Sequence, residues 1–267
     1  MSKQQKPLIL ADLSWPEVRA IQDQVEMVLI PVGSNEQHGP NLSLSMDIKG
    51  ATHFCNRVSE LAYPRMLVAP SMPWGVSYHH MNFPGTITLS SATFIQTLVE
   101  VVDSLQQHGF TRFFVVNGHG GNQAPLGDAL VRINEELQPD FIGSGLYIHF
   151  SDRAIDKEFG IDGIIGHACE RETSVAMHFM PEIVKTEALA RGELTPLTSG
   201  VRVKMQQYKV TVPYRFDRYT INGALGDARR ASAAYGKALM DNAVANFIEF
   251  ADEVIGLPSM TTPFVPE

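Results

Sequence analysis

Only two cysteines, Cys55 and Cys169, occur in the 267 residues of this chain. That is too few for a disulfide framework and points to a reducing, cytoplasmic setting. No apolar run approaches the roughly 20 residues that cross a bilayer, so no membrane partner is expected. The opening residues, Met1-Ser-Lys-Gln-Gln-Lys-Pro7, hold no apolar core of the kind a secretory leader needs, and none is expected. Lysine and arginine do not cluster, and a net charge of −8 argues against a nucleic-acid surface. Internal repeats, low-complexity stretches and linkers are also missing, so residues 1–267 are expected to form one domain.

What is present suits a large packed core, with 44% apolar residues. Short apolar runs predict strands at 26–33, 65–70, 112–117 and 141–148. Helical periodicity predicts helices at 15–23, with Ser14 as cap and Pro16 at its start, and at 47–61, 91–108, 122–137, 168–180 and 227–254. Alternating strands and helices imply an α/β fold: a mostly parallel sheet with helices on both faces, a three-layer α/β/α sandwich. The valines at 201, 203, 210 and 212 suggest an added hairpin or subunit contacts across 199–219.

Three segments carry chemistry. The apolar run Met27–Val32 ends in Gly33-Ser-Asn-Glu36-Gln-His38-Gly-Pro40, with Asp47 soon after. Glu36 and His38 stand two apart, so an extended loop points them the same way. A second run, Phe113–Val116, ends in Asn117-Gly-His119-Gly-Gly-Asn122, whose glycines let backbone approach a ligand. The third segment is Gly166-His167-Ala-Cys-Glu170-Arg-Glu172-Thr-Ser174, where His167, Glu170 and Ser174 share a face if the segment is helical. Alone, each has an ordinary use. A histidine after a strand is commonly a hydrogen-bonded loop residue, and Glu170 and Glu172 suit the first turn of any helix. The glycines lack the Lys-Ser/Thr ending of a phosphate loop and the GxGxxG spacing. Convergence decides for a metal. Imidazole and carboxylate suit zinc, manganese or iron, and ligand sites in such sheets lie at strand ends.

These blocks, with Phe83-Pro-Gly-Thr86, resemble the signature blocks of the creatininase (creatinine amidohydrolase) family in order and spacing, from about residue 13 to about 250. The resemblance implies the fold just described, a homo-oligomer (a hexamer) and two divalent metal ions per subunit. Its implied ligands are Glu36, His38, Asp47, His119 and Glu170. Asp47 would bridge, with Glu36 and His119 on one ion and His38 and Glu170 on the other. Two such ions polarise a carbonyl and bring the pKa of bound water to about 7. Hydrolysis also needs a proton donor for the leaving nitrogen. His167 matches the family's catalytic histidine, and Glu172 is placed to orient it or a metal ligand. Ser77, His80 and Gly120 are the residues expected to meet a small-molecule substrate. One departure stands out: creatininase carries a metal glutamate two residues after the metal histidine, where this chain has Gly121, and Glu170 is taken to fill the gap.

The family's aromatic pocket is not reproduced. Gly120 stands where creatininase has tyrosine, and the only tryptophans are Trp15 and Trp74. Creatinine is therefore disfavoured. The reading is an amidohydrolase acting on a C–N bond of a small polar, possibly cyclic molecule, other than a peptide bond. Its rivals are a hydrolase of a sugar- or inositol-derived cyclic ketone using the same metals, and a metal-binding relative without activity.

Overall fold

The structure is a computed structural model that describes residues 5–162, 165–199, 201–208, 210 and 212–260. Its sheet is wholly parallel among the described residues. The strands are β1 (Leu8–Ile9), β2 (Met27–Val32), β3 (Met66–Val68), β4 (Arg112–Asn117) and β5 (Phe141–Leu146), in the order β1-β3-β2-β4-β5. The helices are α1 (Trp15–Ile21), α2 (Met46–Leu61), α3 (Ser91–Gln107), α4 (Gln123–Leu137), α5 (Arg153–Glu158), α6 (Glu170–Phe179), α7 (Pro196–Ser199), α8 (Val201–Gln207) and α9 (Ala233–Ile255).

Side-chain alternation along the strands explains the layers. Met27 and Leu29 of β2 and Phe114 and Val116 of β4 face one core with α2, α6 and α9. Val28, Ile30, Phe113 and Val115 face the other, with Phe94, Leu98 and Val102 of α3 and Leu126 and Ile133 of α4. Every residue of β2 is buried. A strand covered on both faces reads as an unbroken apolar run, which is why it stands out in the sequence.

The predicted strands and long helices form, with ends moved by a few residues. The last helix starts later than 227, because Ala228–Arg230 make a separate turn and Ser232 caps α9 by accepting from the Tyr235 amide. The hairpin suggested across 199–219 is corrected. Residues 201–207 form α8 instead, which holds Lys204, Met205, Gln206 and Gln207, all good helix formers; residues 200, 209 and 211 lie outside the described set. The two-residue β1 and the short α5 were not anticipated. No helix among the described residues is long and apolar enough to cross a membrane.

Helix α9 crosses α6 at Gly236, where an added Cβ would stand 1.9 Å from the Ser174 carbonyl oxygen. The neighbour is backbone and cannot swing aside. Gly236→Ala should therefore destabilise the protein by about 1–3 kcal/mol, outweighing the roughly 1 kcal/mol gained in helix propensity. A lower urea midpoint checks this; an unchanged midpoint would contradict the close crossing.

Candidate metal centre

The three segments meet at the C-terminal edge of the sheet. Glu36 and His38 lie on the loop leaving β2, Asp47 in the first turn of α2, His119 just after β4, and Glu172 in the first turn of α6. Gly118 makes the approach possible: a Cβ there would sit 2.2 Å from the Asp47 carbonyl oxygen. Asn122 ties the neighbouring loops together, its amide donating to the Gly33 carbonyl at 3.0 Å while its oxygen accepts from the Val76 amide at 2.9 Å. Sequence reading passed over Asn122, although it ends the glycine-rich motif.

Three groups of metal-type side chains have their ligand atoms within 4.8 Å of one another: Glu36, His38 and His167; Glu36, His79 and His119; and His38, Asp47 and Glu172. His38 Nδ1 lies 3.1 Å from the Glu36 carbonyl oxygen, which can only accept, so that nitrogen carries a proton. Its Nε2 then faces Asp47 Oδ1 at 3.0 Å. His119 is arranged alike. Its Nε2 lies 3.0 Å from the Ser77 hydroxyl and 3.3 Å from the Val76 carbonyl, while Nδ1 points between Glu36 Oε1 at 3.1 Å and Asp47 Oδ2 at 3.2 Å. Anchoring one ring nitrogen on protein and presenting the other is how metal-binding histidines are usually held.

Two carboxylate oxygens, Glu36 Oε1 and Asp47 Oδ2, are buried without a hydrogen-bond partner among the described residues. His119 approaches both, but off the hydrogen-bonding direction. Orphaned buried anions are costly, and a cation between them answers that cost. Without metal, protons serve instead. Burial would pull the His38 imidazole down, but the Asp47, Glu172 and Glu36 carboxylates outweigh it and raise its pKa to about 10. His119 is likewise raised well above its ordinary value, against burial, chiefly by Glu36. Asp47 is held low, against burial, by His38 and His119. A metal entering here displaces these protons, since only neutral imidazole and carboxylate ligate.

Glu170 does not join this group. Helix α6 begins at Glu170, and Glu170 and Glu172 leave it on different faces. Glu170 Oε2 accepts from the Asp227 amide at 2.7 Å, whereas Glu172 lies with His38 and Asp47. Ala168, with φ of +50°, kinks the chain ahead of the helix, and its amide donates to Glu172 Oε2 at 2.6 Å. Burial, reinforced by Asp47 and opposed by His38, pushes the Glu172 carboxyl up to about 7. Gly121 has no space for a side chain: a Cβ would stand 2.3 Å from His119 Nε2 and 2.5 Å from the Val76 carbonyl oxygen.

His167 is one of the metal-type residues, its ring centre 4.3 Å from that of His38. Its Nε2 donates to the Gln37 carbonyl at 2.6 Å, leaving the Nδ1 lone pair 3.7 Å from Glu36 Oε1. Burial and the neighbouring His38 charge lower its pKa to about 3. Ser77 is fully buried and donates to Glu36 Oε2 at 2.6 Å, so it braces a carboxylate. His80 is buried with Nε2 3.5 Å from Glu36 Oε1. Gly120 is exposed, with nothing within 4 Å of where a side chain would start, and it leaves that side of the site open. The ring missing from the sequence reading comes from a distant segment. Phe216, buried, lies 4.3 Å from His80 and 4.9 Å from His167, ring centre to ring centre.

The family described as creatinine amidohydrolase, creatininase, matches residues 11–251. A mycofactocin precursor peptide peptidase of Mycolicibacterium smegmatis is 32% identical over 225 residues, covering 83% of this chain and 82% of that protein. A creatinine amidohydrolase of Pseudomonas putida is 26% identical over 252 residues, covering 88% and 93%. A solved structure of a creatinine amidohydrolase homologue from Bacteroides fragilis superposes with a TM-score of 0.83 at 23% identity, over 96% of this chain and 98% of that one. Solved creatininases of similar likeness include a zinc form and a manganese form.

Proposed function

This chain belongs to the creatininase family, and on that footing we propose that it is a metal-dependent hydrolase of amide C–N bonds working with two divalent ions. The observation that carries the proposal is the set of buried Glu36, His38, Asp47 and His119 with half-buried Glu172, and two carboxylate oxygens left without partners among the described residues. In this reading Glu36 and His119 would hold one ion and His38 and Glu172 the other, with Asp47, which reaches both histidines, serving both. Zinc, manganese or iron(II) would polarise the amide carbonyl and activate water near neutral pH.

The remaining groups move protons and shape the pocket. His167 offers a lone pair at Nδ1, so it first takes a proton from the attacking water and then passes that proton to the leaving nitrogen. Ser77 fixes Glu36, and Phe216 walls off the imidazoles from solvent. The peptidase relatives, at higher identity than the creatinine enzyme, favour including peptide amides among the substrates. The creatinine enzyme fits the restriction to other C–N bonds and the peptidases do not, so both bond types belong in the test.

A panel of creatinine, formamidopyrimidines, short peptides and keto-inositols, offered to zinc- or manganese-loaded protein, tests the proposal. Hydrolysis of an amide supports it; turnover of keto-inositols alone would move the reading to ring hydrolysis. No turnover with metal bound would leave a binding protein. The ligand assignment has its own check: Glu172→Gln should lose about one metal per chain, while Glu170→Gln should keep both. Elemental analysis showing the reverse would return Glu170 to the metal.

A further inference from the structure

The side chain of Gln37, between Glu36 and His38, is buried and held at three points. The Gly39 amide donates to Gln37 Oε1 at 2.9 Å, which identifies the oxygen end of the side chain. The nitrogen end donates to the Gly223 carbonyl at 3.0 Å and lies 2.9 Å from His80 Nδ1. An amide NH2 has only protons to offer, so His80 Nδ1 accepts. The His80 proton is then on Nε2, which faces Glu36 Oε1 at 3.5 Å.

The backbone of the same residue acts on the opposite ring. The Gln37 carbonyl, 2.6 Å from His167 Nε2, can only accept, so the His167 proton is on Nε2 and its lone pair is on Nδ1. That lone pair is 3.7 Å from the same oxygen, Glu36 Oε1, and the two ring centres are 4.7 Å apart. Two adjacent histidines of the same tautomer thus turn opposite nitrogens toward one point of the site. One brings a lone pair and the other a proton.

We infer that Gln37 is a positioning residue that sorts these histidines, His167 as proton acceptor and His80 as hydrogen-bond donor. The inference rests on the amide-hydrolase reading for its chemistry. Water attacks the amide carbon, forming the C–O bond while its proton passes to His167 Nδ1. The C–N bond then breaks, and that proton leaves Nδ1 for the amine nitrogen, so His167 ends neutral as it began. His80 keeps its proton throughout and donates a hydrogen bond from Nε2 to the carbonyl oxygen as negative charge builds there. Were both rings to turn the same nitrogen toward this point, one of these two tasks would lack its group.

Ring-nitrogen NMR on zinc-loaded, 15N-histidine-labelled protein tests this, with His80 and His167 assigned from His80→Gln and His167→Gln. Wild type should show Nε2 protonated and Nδ1 bare on both rings. Gln37→Glu replaces the donor by an acceptor but keeps the backbone carbonyl, so His80 should gain an Nδ1 proton while His167 stays unchanged. Should that variant fail to fold, Gln37→Met removes the donor and should leave His80 in mixed tautomers, again with His167 unchanged. In Gln37→Met, kcat on the amide substrate should fall, by at most about a hundredfold, with KM and zinc content held. An Nδ1 proton on wild-type His80, or a Gln37→Glu spectrum that alters His167 or leaves His80 untouched, would overturn the inference. The ring protons are read without turnover, so failure of the amide-hydrolase reading would be seen separately.

Discussion

Asp47→Ala should empty both metal positions at once and abolish turnover. Asp47 presents Oδ1 to His38 and Oδ2 to His119, and these histidines belong to different halves of the ligand set. It is also the chief of the three carboxylates that hold His38 in its charged form when metal is absent. Removing it takes a shared ligand from both ions and leaves His38 and His119 with only Glu36 and Glu172 as counter-charges. Metal content should drop from about two ions per chain to near zero, measured on protein purified without chelator. Retention of one ion would show that another carboxylate bridges, and Glu36, with a buried unpartnered oxygen, is the candidate.

His167→Ala should give the contrasting result: full metal content with turnover lowered by about two to four orders of magnitude, the worth of a positioned proton-transfer group. The argument is geometric. One nitrogen of His167 is committed to the Gln37 carbonyl, and the other faces Glu36 Oε1 at 3.7 Å without hydrogen-bonding it. Its ring packs against His38, His80 and Phe216, and neither of its nitrogens pairs with Asp47, as those of His38 and His119 do. His119→Ala, by comparison, removes an imidazole whose Nδ1 lies against both Glu36 and Asp47, and should cost metal as well as rate. If His167→Ala strips an ion, His167 is a ligand, and the proton carrier has to be sought in Glu172 or His80.

The sequence made the frame of this site readable for a physical reason. Strands β2 and β4 are buried on both faces, so they appear as unbroken apolar runs, and the polar residues that end them mark the sheet edge where ligands bind. Glu36, His38 and His119 could be picked out there because nothing in a plain loop calls for that density of metal-type side chains. The choice between Glu170 and Glu172 could not be made the same way. Spacing from His167 assumes a regular helix through the segment, but Ala168 turns left-handed and α6 starts only at Glu170, so the predicted face is rotated. Phe216 was out of reach for another reason. It comes from a loop far along the chain, and no local periodicity tells which distant ring will cover a pocket.

Metal content of the wild-type chain is the most direct test of the account. Protein purified gently and then titrated with zinc or manganese should hold about two divalent ions per chain by elemental analysis. Protons should be released as the ions bind, since His38 and His119 are charged without them. A reproducible value near zero, with no uptake from added zinc or manganese, would contradict it.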